Sequence, residues 1–237
     1  MSAPIVIEGA GDTLLLCDHA SNAVPADIDL GVAPGVLDEH MAVDIGAGAL
    51  TLALADALGA AAILATVSRL VIDLHREPDH PALVPVESDR VLVPGNVGVD
   101  RFDRIARIHA PYHAAIAREV RSRSPRLIVA IHSFTRQLRG GEPRALEAGI
   151  LYNRDDRAAR TLIAGLRAAG IETGDNSPYS GRMLNATLNR HGEGQGIACV
   201  SIEVRNDLIA DGDGVARWTA LLVPLIERAR IGIGGGE

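Results

Sequence analysis

The chain has 237 residues, 47% hydrophobic but only 3% aromatic, so one sizeable core built from Ala, Val, Ile and Leu is expected, in a single domain over 1–237. All 23 basic residues are arginine; the absence of lysine excludes a Schiff-base lysine, a cofactor aldimine and the usual P-loop lysine. The formal charge of -7 argues against a broad nucleic-acid surface, and an anionic substrate would have to be drawn in by a local cluster of arginines.

The chain opens with Met1 and an Ile-Val-Ile run, without a basic region or cleavage site. No apolar run is long enough to span a bilayer: the stretch 47–65 is broken by Thr51, Asp56 and Gly59. A soluble, cytoplasmic protein is expected. Leu14–Cys17 reads as a buried strand that delivers Asp18 and His19 at its carboxyl end, and Cys17 and Cys199 read as buried thiols. Asp38 is a plausible N-cap for a helix reaching Leu58, stopped by Gly59. Ala61–Ala65 and Leu70–Leu74 read as strands. Residues 76–98 hold prolines at 78, 81, 85 and 94 and read as a long ordered loop, of the kind that often carries function. From Asp100 to Val120 an apolar stripe of Ile105, Ile108, Ile116 and Val120 predicts a helix, interrupted or restarted at Pro111. Leu127–Ile131 is a strand running into His132 and Ser133. Ile150–Tyr152 is a short strand, Asp155–Ala169 a helix, Ile197–Val204 a strand, and Val215–Ala229 the last helix before a Gly-rich tail at 232–236 that reads as frayed.

Strands alternating with helices imply a mainly parallel sheet covered on both faces, with ligands at the carboxyl ends of the strands. Four polar clusters follow apolar runs and can meet there: Asp18-His19, Asp73-His75-Arg76, His132-Ser133 and Glu203-Arg205. Two histidines at strand ends suit a zinc site with a third, often carboxylate, ligand. For either alone, a hydrogen bond to a loop is the plainer reading. Glu203 interrupts an apolar strand, where a carboxylate is costly unless paired or functional; it can act as general base, or pair with an arginine such as Arg205. Arg76 can grip a substrate carboxylate bidentately, or pair with Glu77 or Asp79 on the surface.

Taken in order, these segments resemble the N-formylglutamate amidohydrolase family. They are Cys17-Asp18-His19-Ala20-Ser21-Asn22, Asp38-Glu39-His40, Val43-Asp44-Ile45-Gly46-Ala47, Ser68–Arg76, Pro111-Tyr112-His113, Ile131–Phe134, Asn189–Gly192 and Ile202–Arg205. A weaker similarity reaches zinc carboxypeptidases through Asp73-Leu74-His75-Arg76, His132 and Glu203. The resemblance implies an α/β, three-layer, phosphorylase/hydrolase-like fold with a mixed, mostly parallel central sheet. It implies metal-dependent hydrolysis of an N-acyl acidic amino acid, N-formyl-L-glutamate giving formate and glutamate.

In that reading zinc, or another divalent transition metal, is held by His19, His132 and a third ligand. The His-x-x-Glu pattern of zinc carboxypeptidases is absent, since Asn22 stands three residues after His19. Asp44 is the preferred third ligand, with His40 as its rival. Glu203 is the base and Arg69 the cation for the oxyanion. Arg76 and His75 bind one substrate carboxylate, and Arg190, with Asn189 beside it, a second. His75 stands where asparagine is usual. His109 and His113 have metal-pair spacing weakened by Pro111, and His113 suits a supporting role. The expected partner is a small N-acyl amino acid, with neither nucleic acid nor membrane.

Two other classes compete. A serine hydrolase would use Ser21 or Ser133, but there is no Gly-x-Ser-x-Gly elbow. A non-catalytic binder of small anions would use the arginines, but would not place Glu203 beside its ligand.

Overall fold

The computed structural model describes residues 3–233, so the end of the Gly-rich tail, from 234 on, lies outside the described residues. The strands are β1 (Ile5–Ile7), β2 (Thr13–Cys17), β3 (Ala61–Leu64), β4 (Glu87–Ser88), β5 (Val91–Leu92), β6 (Leu127–Phe134), β7 (Ala148–Leu151), β8 (Thr173–Asp175) and β9 (Ala198–Arg205). The helices are α1 (Ala47–Leu58), α2 (Arg101–Arg104), α3 (Ala110–Arg123), α4 (Arg157–Ala168), α5 (Ala186–His191) and α6 (Gly212–Gly232). Seven strands form one sheet in the order β1-β3-β2-β6-β9-β7-β8, while β4 and β5 form a separate hairpin. Strands β3, β2, β6 and β9 run parallel; β1 and β7 are antiparallel to their neighbours β3 and β9, so the sheet is mixed and mostly parallel, as expected.

The period-2 alternation of the central strands builds two apolar layers. Leu15, Val129, Ile131, Val200, Ile202 and Val204 face one way, against Leu50, Leu54, Leu162, Trp218 and Leu222 of α1, α4 and α6. Leu14, Leu16, Ile128, Ala130 and Cys199 face the other, against Tyr112 and Ile116 of α3 and the buried segment 70–74. The same parity continues past the apolar residues. His132 follows Ile128 and Ala130, and Glu203 follows Cys199 and Ser201, so both project from the second face. Cys17 and Cys199 are free and buried, as read from the sequence.

Two expected elements differ. The helix predicted from Asp38 starts only at Ala47, as α1; a 3-10 turn at Pro34–Asp38 ends where the helix is expected to begin. The Asp38 carboxylate accepts from Asn22 Nδ2 (3.0 Å) instead of capping a helix. Between them Gly46 turns the chain with φ 79°, and a Cβ there would lie 2.1 Å from the Ile209 carbonyl oxygen. Leu70–Leu74 is buried but is not a strand. Side chains satisfy its carbonyls: Asn96 Nδ2 donates to Leu70 O (2.8 Å), Arg104 Nη1 to Val71 O (2.6 Å), and the His113 ring Nε2 lies 3.0 Å from Leu74 O. The 100–120 helix restarts at Pro111, as expected. It widens into a five-residue π-turn at Ile105–His109 and resumes as α3 with the proline in its first turn, where the missing N–H costs least.

Candidate active site

The carboxyl ends of β2, β6 and β9 meet the 69–76 segment over a cavity of about 290 Å³, large enough for a small metabolite. His19, Asp44, Arg69, His75, Arg76, His132 and Glu203 all line it, together with Met41, Asp89, Phe134, Tyr179 and Leu184. The four polar clusters therefore converge, apart from Arg205, which pairs with Asp207 outside the cavity.

Two imidazoles and a carboxylate sit at the centre. Asp44 Oδ2 lies 2.9 Å from His132 Nδ1 and 3.3 Å from His19 Nδ1. Asp44 is not on the helix but in the turn before α1, where the bend at Gly46 lets it reach the strand ends. Arg69 Nη1 donates to its other oxygen, Oδ1, at 3.0 Å, and Arg69 Nη2 donates to Asp73 Oδ2 at 3.1 Å. Asp73 Oδ1 in turn meets His19 Nε2 at 2.7 Å. A second carboxylate, Asp18, is fully enclosed. It accepts from Tyr112 Oη (2.6 Å), lies 2.7 Å from His75 Nδ1, and is 3.6 Å from His132 Nε2.

These contacts set the direction in which each group's pKa is displaced. Burial alone would raise the Asp18 and Asp73 carboxyls, yet both are held well below the usual range, Asp18 by His132 and His75 and Asp73 chiefly by Arg69 and His19. Burial alone would depress His132, but the Asp18 and Asp44 carboxylates override it and raise its pKa. Glu203 behaves oppositely. Burial pushes it up to about 7, against the pull of His132, and its Oε2 is buried without a hydrogen-bond partner among the described residues. Its place follows from register: Glu203 pairs with His132 on β6 on one side and with Gly149 on β7 on the other.

The residues suit a metal. Ligand atoms of His19, Asp44 and His132 all lie within 4.8 Å of one another, and imidazole plus carboxylate is the donor set of zinc and similar ions. Among the described residues His132 Nε2 is a buried ring nitrogen with no hydrogen-bond partner, the Asp18 carboxylate standing 3.6 Å away, as an atom open to a ligand would be. Asp18, His75 and His132 form a second, overlapping group within the same limit. Of the rival third ligands, His40 is 3.0 Å from Asp89 at the pocket wall, and Asn22 contacts Asp38.

Two expected substrate residues, Asn189 and Arg190, are not among the residues that line the cavity. Arg190 pairs with Glu77 at 3.2 Å, and the Asn189 amide oxygen faces Asn153. Helix α5 buries Thr187, Leu188 and His191, and leaves Asn189 half-buried and Arg190 exposed. His191 instead stacks on His113, with Nε2 2.9 Å from His113 Nδ1, and His109 Nε2 lies 3.0 Å from Arg76 O. The π-turn thus sets a histidine cluster behind the 74–76 backbone. Asp18, Asp73, Tyr112 and Tyr179 carry site contacts without roles that the sequence assigns. Asp18 and Asp73 sit inside the polar clusters that signal the site, whereas Tyr179 is in a loop with no such signal.

A mixed sheet with a buried imidazole–carboxylate centre and an unpartnered glutamate at the strand ends defines an α/β enzyme scaffold of the hydrolase kind. The profile of the N-formylglutamate amidohydrolase family matches residues 11–210, and the chain belongs to that family. It is similar to the crystal structure of a gene product from Agrobacterium tumefaciens: 34% identity, 98% of this chain and 96% of that one covered, TM-score 0.93. It shares the fold of N-formylglutamate amidohydrolase from Ralstonia eutropha, with 21% identity, all of both chains covered and a TM-score of 0.73. No curated protein matches the sequence.

Proposed function

We propose that this single domain is a metal-dependent deformylase that hydrolyses N-formyl-L-glutamate to formate and L-glutamate. The observation that carries the reading is Glu203: a buried, unpartnered carboxyl set by strand register beside His132, in the pocket that also holds His19 and Asp44. His19, Asp44 and His132 would hold zinc or another divalent transition metal. When bound, such an ion supplies Lewis acidity toward the formyl oxygen and toward water.

The chain's own residues do the rest. Glu203 accepts a proton from the attacking water and passes it to the leaving nitrogen as the C–N bond breaks, so that formate and the free amine result. A carboxyl pushed up to about 7 by burial is suited to both halves of that transfer. Arg69, fixed by Asp44 and Asp73, stabilises negative charge developing on the formyl oxygen. Arg76, tied at Nε to Asp73, has its outer guanidinium nitrogens for the substrate α-carboxylate. His75 is held at the pocket wall by Asp18. Among the described residues no helix is long and apolar enough to cross a membrane, and the two free buried thiols suit the reducing cytoplasm.

The test is formate release from N-formyl-L-glutamate by purified protein, before and after chelation and after return of zinc. Release that chelation stops and zinc restores is expected. Release untouched by complete metal removal would overturn the metal dependence, and absence of release from a zinc-loaded protein would move the substrate to another N-acyl amino acid.

A further inference from the structure

The cations of the pocket do not match a substrate with two carboxylates. Arg69 and Arg76 are the arginines that line it, and both share Asp73, with Arg69 also bound to Asp44. The pocket wall adds Asp44, Asp89 and Glu203 on the acidic side. Nearby arginines are spent elsewhere: Arg139 on Glu39, Arg190 on Glu77, Arg205 on Asp207.

Arg144, in the loop between β6 and β7, differs from all of these. Among the described residues it has no carboxylate within salt-bridge distance. Its guanidinium carbon lies 5.2 Å from the centre of the Tyr179 ring and 5.8 Å from that of Phe134, two residues that form the pocket wall. One arm, Nη1, donates to the carbonyl of Thr135 at 3.0 Å, another lining residue, and its own backbone N–H donates to Arg136 O at 2.7 Å, closing the loop. A half-buried guanidinium stacked on two rings and clamped by one carbonyl is held in orientation with donors to spare. Arg144 itself stands directly behind three residues of the pocket wall, Phe134, Thr135 and Tyr179.

We propose that Arg144 receives the side-chain carboxylate of the substrate and so selects an acidic N-formyl amino acid over its neutral amide. The assignment rests on the deformylase reading for the identity of the ligand, and replaces Arg190 as the second anchor.

The experiment measures calorimetric binding and turnover of N-formyl-L-glutamate and N-formyl-L-glutamine by the zinc-loaded enzyme, comparing wild type with Arg144→Gln and Arg144→Lys. The expected result is a loss of at least about tenfold in the glutamate-to-glutamine preference of R144Q, carried by KM with kcat little changed, and partial recovery in R144K. Folding of the variants is checked separately, by circular dichroism and zinc content, which should match wild type. If R144Q lowers both ligands equally, or keeps the preference while turning over substrate, the assignment is overturned and the deformylase reading stands. If the wild type turns over neither compound yet binds the glutamate ligand in an Arg144-dependent way, the reaction fails and the carboxylate site stands. Binding of neither ligand overturns both.

Discussion

Glu203 occupies a position that stability alone would not select, since its Oε2 is buried with no donor to answer it among the described residues and such a group costs free energy. Glu203→Gln keeps the shape and removes the proton acceptor. Turnover should fall by roughly 10²–10⁴-fold while zinc content, read by elemental analysis, stays the same; undiminished turnover would remove Glu203 from the base role. Asp18 presents the opposite case, a buried carboxylate fully answered by Tyr112 and His75. In Tyr112→Phe the carboxylate loses one donor inside a dry environment, and urea unfolding should register a loss of about 1–3 kcal/mol. An unchanged midpoint would mean that other groups take over that oxygen. Arg76→Ala should raise KM for the formyl substrate with a smaller change in kcat, because its guanidinium is assigned to binding and not to the reacting bond.

At the scale of elements, the site depends on a few turns that set where strand ends and loops meet. Gly46 shows this most directly. Its φ is 79°, and a Cβ at this position would approach Ile209 O to 2.1 Å, which leaves no room for a side chain; two residues before it stands Asp44. Gly46→Ala should cost more than the ~1–3 kcal/mol of a left-handed non-glycine residue, and should weaken zinc binding as Asp44 is displaced; unfolding by denaturant and a zinc titration check both. A variant with wild-type stability and zinc affinity would show that the turn relaxes freely. The same scale explains what is legible in the sequence. His132 and Glu203 stand out because each is a polar side chain interrupting an apolar run, and strand parity then puts both on one face. Asp44 is legible as a ligand candidate but not as a turn residue, because the Asp38 signal is satisfied by Asn22 in tertiary contact and not by a helix end. Leu70–Leu74 has a strand's composition, but its carbonyls are answered by Asn96, Arg104 and His113, which no local pattern announces. Arg190 and Asn189 cannot be placed from the sequence because nothing in it fixes which face of the short helix α5 is buried. Arg144 and Tyr179 belong to loops whose meeting is set by the whole sheet.

For the molecule as a whole, the histidine cluster behind the 74–76 backbone ties global stability to pH. His191 is packed against His113 and near Arg190, His109 and Asp18; burial, then Arg190, lowers its pKa to about 4, against 6.5 in the unfolded chain. Burial, then His109, lowers His113 to about 3. Between pH 6.5 and about 4 the unfolded chain therefore binds protons at these two positions that the folded chain refuses. Their contribution to stability is complete above pH 6.5 and is lost on acidification, at ~1.4 kcal/mol per pH unit for each histidine. His19 and His132, raised by their carboxylates, work in the opposite sense in the metal-free chain, gaining stability at acid pH and losing it as pH rises. Comparing variants removes that opposing contribution, because both proteins carry it. In metal-free His191→Gln, unfolding free energy plotted against pH from 6.5 to about 4 should have a slope smaller by ~1.4 kcal/mol per pH unit than wild type. Parallel curves would mean that His191 is protonated in the folded state, and the cluster would then be held by a shared charge and not by a neutral pair.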